Sequence, residues 1–438
     1  MKRVLLKLIP KPLLRLYHYF LALAANFFYR YPSDKLIVIG VTGTSGKSTV
    51  VYLITRILEK AGYRVGCSST IMFKVGKKEW LNDKKMTMVG RFALQKLIKQ
   101  MVKANCQYAV IETTSQGIEQ FRHIGINYDI LVFTNLYPEH IEAHGCFENY
   151  KKAKLKLFAK LDQEKPKIFA GLPVKKTIIA NLDDKHSFDF LNNWADEKYA
   201  FTLEDKKSDL AKVISVKDEK VTNQGIEFKI QDQAFSVNRF GRHNIYNCAV
   251  AISLGLTQDL SLESMALGLS SLAQMPGNFE LIDEGQDFKV IIDYAFEPKA
   301  LGALYDIVKK IPHQKIIHIL GSTGGGRDQS RRPLLGKLAG EQADLVIVTN
   351  EDPYDEDPGV IIDQVIAGAK EAGKKLNNNL FRILDRRQAI AKAINLAQID
   401  DIVLITGKGC EQAIVTAKNK KISWDDRQVA REELKKIK

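Results

Sequence analysis

Gly40-Val41-Thr42-Gly43-Thr44-Ser45-Gly46-Lys47-Ser48-Thr49 closes an apolar run, KLIVIGV at 35–41, and opens a helical pattern, STVVYLITRILEKAG at 48–62. A strand, a glycine-rich turn and a helix in that order point successive backbone N–H groups and a helix N-terminus at phosphate oxygens. In that setting Lys47 reaches the outer phosphates and the Ser48 hydroxyl can ligate Mg2+. The stretch is therefore read as a cradle for a nucleoside triphosphate, made by Gly43, Thr44, Ser45, Gly46, Lys47, Ser48 and Thr49. The general spacing calls for glycine where Val41 stands, and an ordinary glycine turn is the alternative reading.

Working outward, apolar β-rich runs keep alternating with helical patterns: QYAVIET at 107–113, YDILVFTN at 128–135 and then the helical NYKKAKLKLFAKL at 149–161. Such alternation predicts a mostly parallel sheet with helices on both faces. Between Glu164 and Phe240 the strand candidates, VKKTIIAN and IEFKIQDQAFSV among them, are shorter and more polar, as in a peripheral sheet of the same domain. Helical character returns at NIYNCAVAISLGL. A second α/β unit begins near Pro276, where KVIIDYA, KIIHILG, DLVIVTN and DIVLITG read as buried strands. Each ends in a polar or glycine-bearing turn, and in open α/β sheets ligands bind at those carboxyl ends. The predicted fold is α/β: a P-loop central domain with a mostly parallel sheet at 34–275 and a C-terminal Rossmann-like α/β domain at 276–438, preceded by a basic amphipathic segment at 1–33.

Composition bounds the class. A chain of 438 residues, 45% hydrophobic and 26% charged, fits a multidomain globular protein. Cys67, Cys106, Cys146, Cys248 and Cys410 are scattered without a Cys-x-x-Cys pair, which argues against a disulfide framework or zinc site and for a reducing, cytoplasmic compartment. The net charge of +14 comes from dispersed lysines without an Arg-rich block or RNA-binding signature, so no nucleic-acid partner is expected. The apolar run from Leu16 to Phe28 is shorter than the ~20 residues of a bilayer span and has no cleavage site after it. Lys2, Arg3, Lys7, Lys11 and Arg15 among leucines and aromatics predict an amphipathic helix. It would either lie on the inner face of an anionic membrane, a peripheral contact through residues 1–30, or pack on the protein's own core.

The stretch TGTSGKST resembles the P-loop of the Mur ligase family, TGT-(N/S)-GK-(T/S)-(T/S), and more matches follow in order along nearly the whole chain. Ile111–Gly117 (IETTSQG) is similar to E-x-S-S-(H/E)-G, and Thr134–His140 (TNLYPEH) to TNL-x-x-(D/E)H. Tyr150–Lys154 (YKKAK) is similar to Y-x-x-AK, and Gly241–Asn247 (GRHNIYN) to G-x-x-N-x-x-N. PGNFE, DYAFEP, GSTGGGRDQSRRP, TNEDPYDEDP and GKGCE resemble most the branch of UDP-N-acetylmuramyl-tripeptide synthetases.

The resemblance implies an ATP-dependent, ADP-forming ligase of cell-wall peptidoglycan synthesis. It would join an amino acid to a muramyl-peptide-like carboxylate through an acyl-phosphate. It also implies Mg2+ held by Ser48, Glu112, His140 and Lys154, with that lysine carbamylated by CO2, and Lys47, Glu112, His140 and Lys154 as the catalytic set. Asn247 is implied at the adenine and Asp293 at the ribose, while Asp183 and Asp184 are read as structural. Ser115 and Arg122 are implied contacts to the acceptor; Arg327, Asp328, Asp352, Tyr354, Gly407 and Glu411 are implied around the incoming amino acid. EDPY at 351–354 stands where diaminopimelate-adding members carry DNPR, so acidic Glu351, Asp352, Asp355 and Glu356 would suit a cationic amine; a solvated acidic loop is the alternative. Asn278 replaces a family arginine, and Phe296 and Glu297 stand in a turn where the family has histidine. The P-loop begins about forty residues in, leaving no room ahead of it for the family's UDP-binding domain. A folate or poly-γ-glutamate ligase and a catalytically inactive nucleotide-binding partner subunit are the alternatives.

Overall fold

Runs of β-branched residues buried on both faces belong inside a parallel sheet, and both parts of this chain are built on them. The computed structural model describes residues 10–139, 144–222 and 224–437 and divides the chain into two compact units, 1–272 and 273–438.

In the first unit, β1 (Ile37–Thr42), β2 (Val65–Ser68), β3 (Met72–Val75), β4 (Lys78–Leu81), β5 (Tyr108–Glu112), β6 (Ile130–Phe133), β7 (Thr177–Asn181), β8 (Glu197–Thr202), β9 (Lys212–Thr222), β10 (Gly225–Ile230) and β11 (Gln233–Val237) form one sheet. Its order is β11-β10-β9-β8-β7-β6-β1-β5-β2-β3-β4. From β9 to β2 every pairing is parallel, and antiparallel hairpins close both edges. The expectation of a peripheral sheet from Glu164 to Phe240 needs correction. TIIAN at 177–181 is buried throughout and pairs with β6 on one side and β8 on the other, so it extends the central sheet; only the β9–β11 meander reaches the edge.

The helices used below are α1 (Lys11–Phe28), α2 (Lys47–Lys60), α3 (Arg91–Lys103), α4 (Ser115–Glu119), α5 (Phe147–Phe158) and α6 (His243–Thr257). Helix α1 covers the predicted amphipathic segment from Lys11 on; Lys2, Arg3 and Lys7 lie outside the described residues. Among the described residues, no helix is long and apolar enough to cross a membrane.

Sheet geometry is pinned by a buried charge cluster at the start of β6. Asp129 is fully buried; its carboxylate accepts from Val38 N at 2.8 Å, Lys167 Nζ at 2.6 Å and Lys176 Nζ at 2.9 Å. Both ammonium groups also donate to backbone carbonyls, those of Leu36, Asn127 and Tyr128. Removing one partner of a buried pair strands the others without water. Asp129→Ala is expected to lower unfolding free energy by about 3–5 kcal/mol, read as a shifted urea midpoint.

The second unit has the sheet order β12-β13-β17-β14-β15-β16, with β12 (Glu280–Ile282), β13 (Lys289–Asp293), β14 (Ile316–Leu320), β15 (Leu345–Val348), β16 (Leu380–Arg382) and β17 (Ile402–Thr406). Only β12 runs antiparallel to its neighbour. The carboxyl ends of β13, β14, β15 and β17 fall on one edge, as the four predicted strand-end turns require.

Candidate functional site

Strand β1 ends at Thr42, between β5 and β6, and the chain then turns through Gly43 and Gly46 into α2. Gly46 has φ of 79°, and a Cβ there would lie 2.5 Å from Asn247 Oδ1; at Gly43 a Cβ would run into the Thr134 hydroxyl. Only glycine lets the backbone pass both points. The loop is held from the β6 side, where Thr134 Oγ1 donates to Ser45 O at 2.8 Å and Ser45 N donates to Asn135 Oδ1 at 2.9 Å. Tyr150 on α5 is hydrogen-bonded to Thr44 Oγ1 at 3.1 Å. Lys47 Nζ donates to Thr44 O at 2.6 Å, and buried Thr49 continues the first turn of α2.

At the end of β5, Glu112 is buried and accepts from Ser48 Oγ at 2.9 Å. Thr70, a residue the motifs do not mark, donates its N–H at 2.8 Å and its hydroxyl at 3.1 Å to the same carboxylate. Lys154 on α5 is fully buried, donates to Gly43 O at 2.7 Å and stands 4.5 Å from the Tyr150 ring centroid. Among the described residues it makes no ion pair. Burial first, then the charge of Lys47, lower its pKa well below that of an ordinary lysine, against the opposing pull of Glu139 and Glu112. His140 lies outside the described residues.

Ser115 opens α4, capped by Thr114, and its hydroxyl meets His144 Nε2 at 3.0 Å. Arg122 donates to Gln120 Oε1 at 2.6 Å and to the Met88 carbonyl. Burial lowers its pKa, and that of Arg91 is lowered by burial and then by the charge of Arg122. Two half-buried guanidiniums thus stand near one another beside α4, and sequence reading found only one, because Arg91 sits outside every motif. Asn247 on α6 is buried beside Gly46 and donates to Asn244 Oδ1 at 3.1 Å. Asp184 accepts from Leu136 N at 2.6 Å, and Asp183 from Leu203 N at 2.7 Å and the Thr202 hydroxyl; these bonds brace turns.

A second cluster belongs to the second unit. Lys408 is fully buried and donates to Asp352 Oδ1 at 3.0 Å, Glu411 Oε2 at 2.7 Å and Ala413 O at 2.6 Å. Tyr294 reaches Glu411 Oε1 at 3.3 Å, and the positive-φ Gly407 passes directly against Glu351. Tyr354, at φ of 53°, packs its ring against Gly325, while Arg327 and Asp328 are exposed. Asp293 accepts from Phe279 N and Ala295 N, both at 2.7 Å, and burial raises its pKa to about 6.

The acidic loop is not an open field for a cationic amine. Asp352 is paired with Lys408, Glu356 with Arg332 at 2.8 Å, and Asp355 accepts from Lys418 N at 2.7 Å. Glu351 is buried, bonded to the Thr323 hydroxyl at 2.6 Å, and burial raises its pKa. Phe296 and Glu297 engage Arg331, whose guanidinium lies 5.6 Å from the Phe296 ring centroid and 2.6 Å from Glu297 Oε1.

The donor set at Ser48 and Glu112, a hydroxyl and a buried carboxylate beside a phosphate-type cradle, consists of hard oxygen ligands of the kind Mg2+ takes. Among the described residues there is no group of three or more His, Cys, Asp or Glu arranged as a metal cage.

Comparison with known proteins adds an independent line. Residues 41–255 match the Mur ligase middle domain, and residues 277–409 match the Mur ligase, glutamate ligase domain. A UDP-N-acetylmuramyl-tripeptide synthetase of Roseiflexus sp. (strain RS-1) is 34% identical, over 98% of this chain and 85% of that one. A solved UDP-N-acetylmuramoyl-L-alanyl-D-glutamate–2,6-diaminopimelate ligase is 28% identical, with a TM-score of 0.59 over 92% of this chain and 79% of its own. The ADP-bound folylpolyglutamate synthase of Mycobacterium tuberculosis shares the fold, with a TM-score of 0.67 at 15% identity over 88% of this chain and 91% of its own. With both domain types matched in order and a relative aligned across 98% of this chain, this chain belongs to the Mur ligase family.

Proposed function

We propose that this chain is an ATP-dependent, ADP-forming ligase that adds an amino acid to a muramyl-peptide carboxylate in peptidoglycan synthesis. The observation that carries the reading is the meeting, at the carboxyl ends of β1 and β5, of a glycine-shaped phosphate cradle, the Ser48–Glu112 contact and the buried Lys154.

The N–H groups of Gly43 to Thr49 face the phosphates, and Lys47 supplies fixed positive charge at the transferred group. Ser48 and Glu112, with His140 and a carbamylated Lys154, would hold Mg2+; when bound, that ion offsets the repulsion between the acceptor carboxylate and the γ-phosphate. Lys154 suits the modification because only a neutral amine attacks CO2. The nitrogen bonds to carbon, a proton leaves, and the side chain becomes an anion beside Lys47. Ser115 and Arg122, reinforced by Arg91, orient the acceptor. Its carboxylate oxygen attacks the γ-phosphorus and ADP leaves. The incoming amine then attacks the acyl carbon, phosphate leaves with that oxygen, and the amine gives up a proton. Arg327, Asp328, Asp352, Tyr354, Gly407 and Glu411 receive the amino acid, Lys408 fixes the carboxylates of Asp352 and Glu411, and Asn247 and Asp293 contact adenine and ribose.

The test is a mass-spectrometric screen of muramyl-peptide and folate acceptors against an amino-acid panel, with ATP and Mg2+. Amide product on a muramyl peptide is expected, and chelation of the metal should abolish it. Product only on folyl or glutamyl acceptors would transfer the chain to the folate-type reading. No product with any pair, despite nucleotide binding, would make it an inactive partner subunit.

A further inference from the structure

A helix on a globular surface ordinarily buries its widest apolar stripe and leaves its small or polar face to water. Helix α1 does the reverse. The most buried residues of its inner side are Ala22, Ala25 and Asn26, which are 1%, 0% and 8% exposed, with Leu14, His18, Leu21 and Tyr29 half-buried. Leu13, Leu16, Tyr17, Phe20, Leu23 and Phe27, which fall on one side at helical spacing, face outward, with Phe20 at 58% and Phe27 at 71%. Phe28 at 68% and Tyr31 at 44% prolong this face, and the exposed Phe92 of α3 joins it with its ring 6.1 Å from that of Phe28. The helix is anchored, since it packs on α3 and Asn26 closes on Gly125. Its apolar face is therefore held outward by the unit itself.

The segment that carries this face has charge of one sign up to Ser33, with Asp34 following it. Residues 1–33 contain Lys2, Arg3, Lys7, Lys11, Arg15 and Arg30 and no Asp or Glu. Arg15 and Arg30 are exposed, with the Arg15 guanidinium 5.8 Å from the Phe121 ring centroid. A second copy of this surface would set cations against cations. A bilayer offers what the face lacks, anionic head groups over an apolar layer, and leucines ringed by tyrosine and phenylalanine suit the boundary between them.

We propose that α1 seats the protein in-plane on an anionic lipid surface through Leu13, Leu16, Phe20, Phe27 and Phe28, with Arg15 and Arg30 at the head groups. The helix would then place the ligase where a membrane-borne acceptor is presented, an extension of the function proposed above that does not alter its chemistry.

Co-sedimentation of the full chain with phosphatidylglycerol/phosphatidylcholine vesicles tests this, with pure phosphatidylcholine as the control. Binding to the anionic vesicles is expected, weakening as salt rises. Phe20→Ser/Phe27→Ser/Phe28→Ser should weaken it at least about tenfold. The thermal midpoint and ligation of a soluble acceptor should persist in this variant, and Phe27→Ser alone should give a smaller loss in the same direction. An intact chain that stays in the supernatant with anionic vesicles at low salt overturns the proposal, as does equal binding by wild type and variants. A concentration-dependent dimer that the triple variant abolishes, without vesicle binding, assigns the face to a second copy and also overturns it. Because ligation is assayed on a soluble acceptor, loss of the lipid contact is distinguishable from failure of the ligase reading.

Discussion

Glu112→Ala is expected to lower ATP-dependent ligation by about a thousandfold, measured as ADP release that requires both acceptor and amine. The carboxylate ends β5 and touches the Ser48 hydroxyl, in the first turn of α2, at 2.9 Å. Its loss removes the oxygens that would hold the metal and also leaves the Thr70 and Ser48 donors unpaired. That second effect costs about 1–3 kcal/mol of stability and is to be separated by a melting curve. Glu112→Gln keeps the shape and most of the hydrogen bonding while removing the charge, so it should be nearly as inactive yet close to wild type in stability. Lys47→Ala should match it in activity, since the lysine compensates phosphate charge at the same place. Near-wild-type turnover in either variant would contradict the assignment of this cradle to phosphoryl transfer.

Lys154→Ala is expected to be equally inactive, for a different reason. The amine is fully buried and its pKa is lowered first by desolvation, and the proposed role turns it into a carbamate anion. Activity of the wild type should fall when dissolved CO2 is depleted and return when bicarbonate is added. Acetate should rescue Lys154→Ala in part, because the cavity left by the side chain requires an anion near Lys47, whereas Lys154→Gln should be rescued less for want of space. Full activity in Lys154→Ala would return this residue to a purely structural role as a donor to the Gly43 carbonyl and a partner of the Tyr150 ring.

What could be read in advance was what the chain writes locally. Ile37–Thr42 and Tyr108–Glu112 are continuous apolar runs, and buried parallel strands demand such runs, so their positions followed from composition alone. Gly43 and Gly46 were legible because backbone passage at those points excludes a Cβ. The short strands β2, β3 and β4 were missed: each has four residues, too few for a period to show, and β4 lies half in solvent. Contacts made through space left no local trace either. Thr70 reaches Glu112 across 42 positions, Arg91 on α3 comes near Arg122 in the turn after α4, and Lys408 pairs with Asp352 across 56 positions. The pairing of the acidic loop left no local trace for the same reason, since the cations that neutralise Asp352 and Glu356 are distant in sequence. In α1 both faces are apolar enough to be buried, and only the fit of Ala22, Ala25 and Asn26 against the unit decides which one turns inward.

The most direct measurement of the central claim follows the oxygen atoms. An acceptor carboxylate labelled with 18O is incubated with the enzyme, ATP, Mg2+ and the amino acid, and the released phosphate is weighed by mass spectrometry. Passage through an acyl-phosphate at the Lys47–Ser48–Glu112 site predicts one labelled oxygen in phosphate for every amide bond formed. Unlabelled phosphate alongside amide product would contradict it.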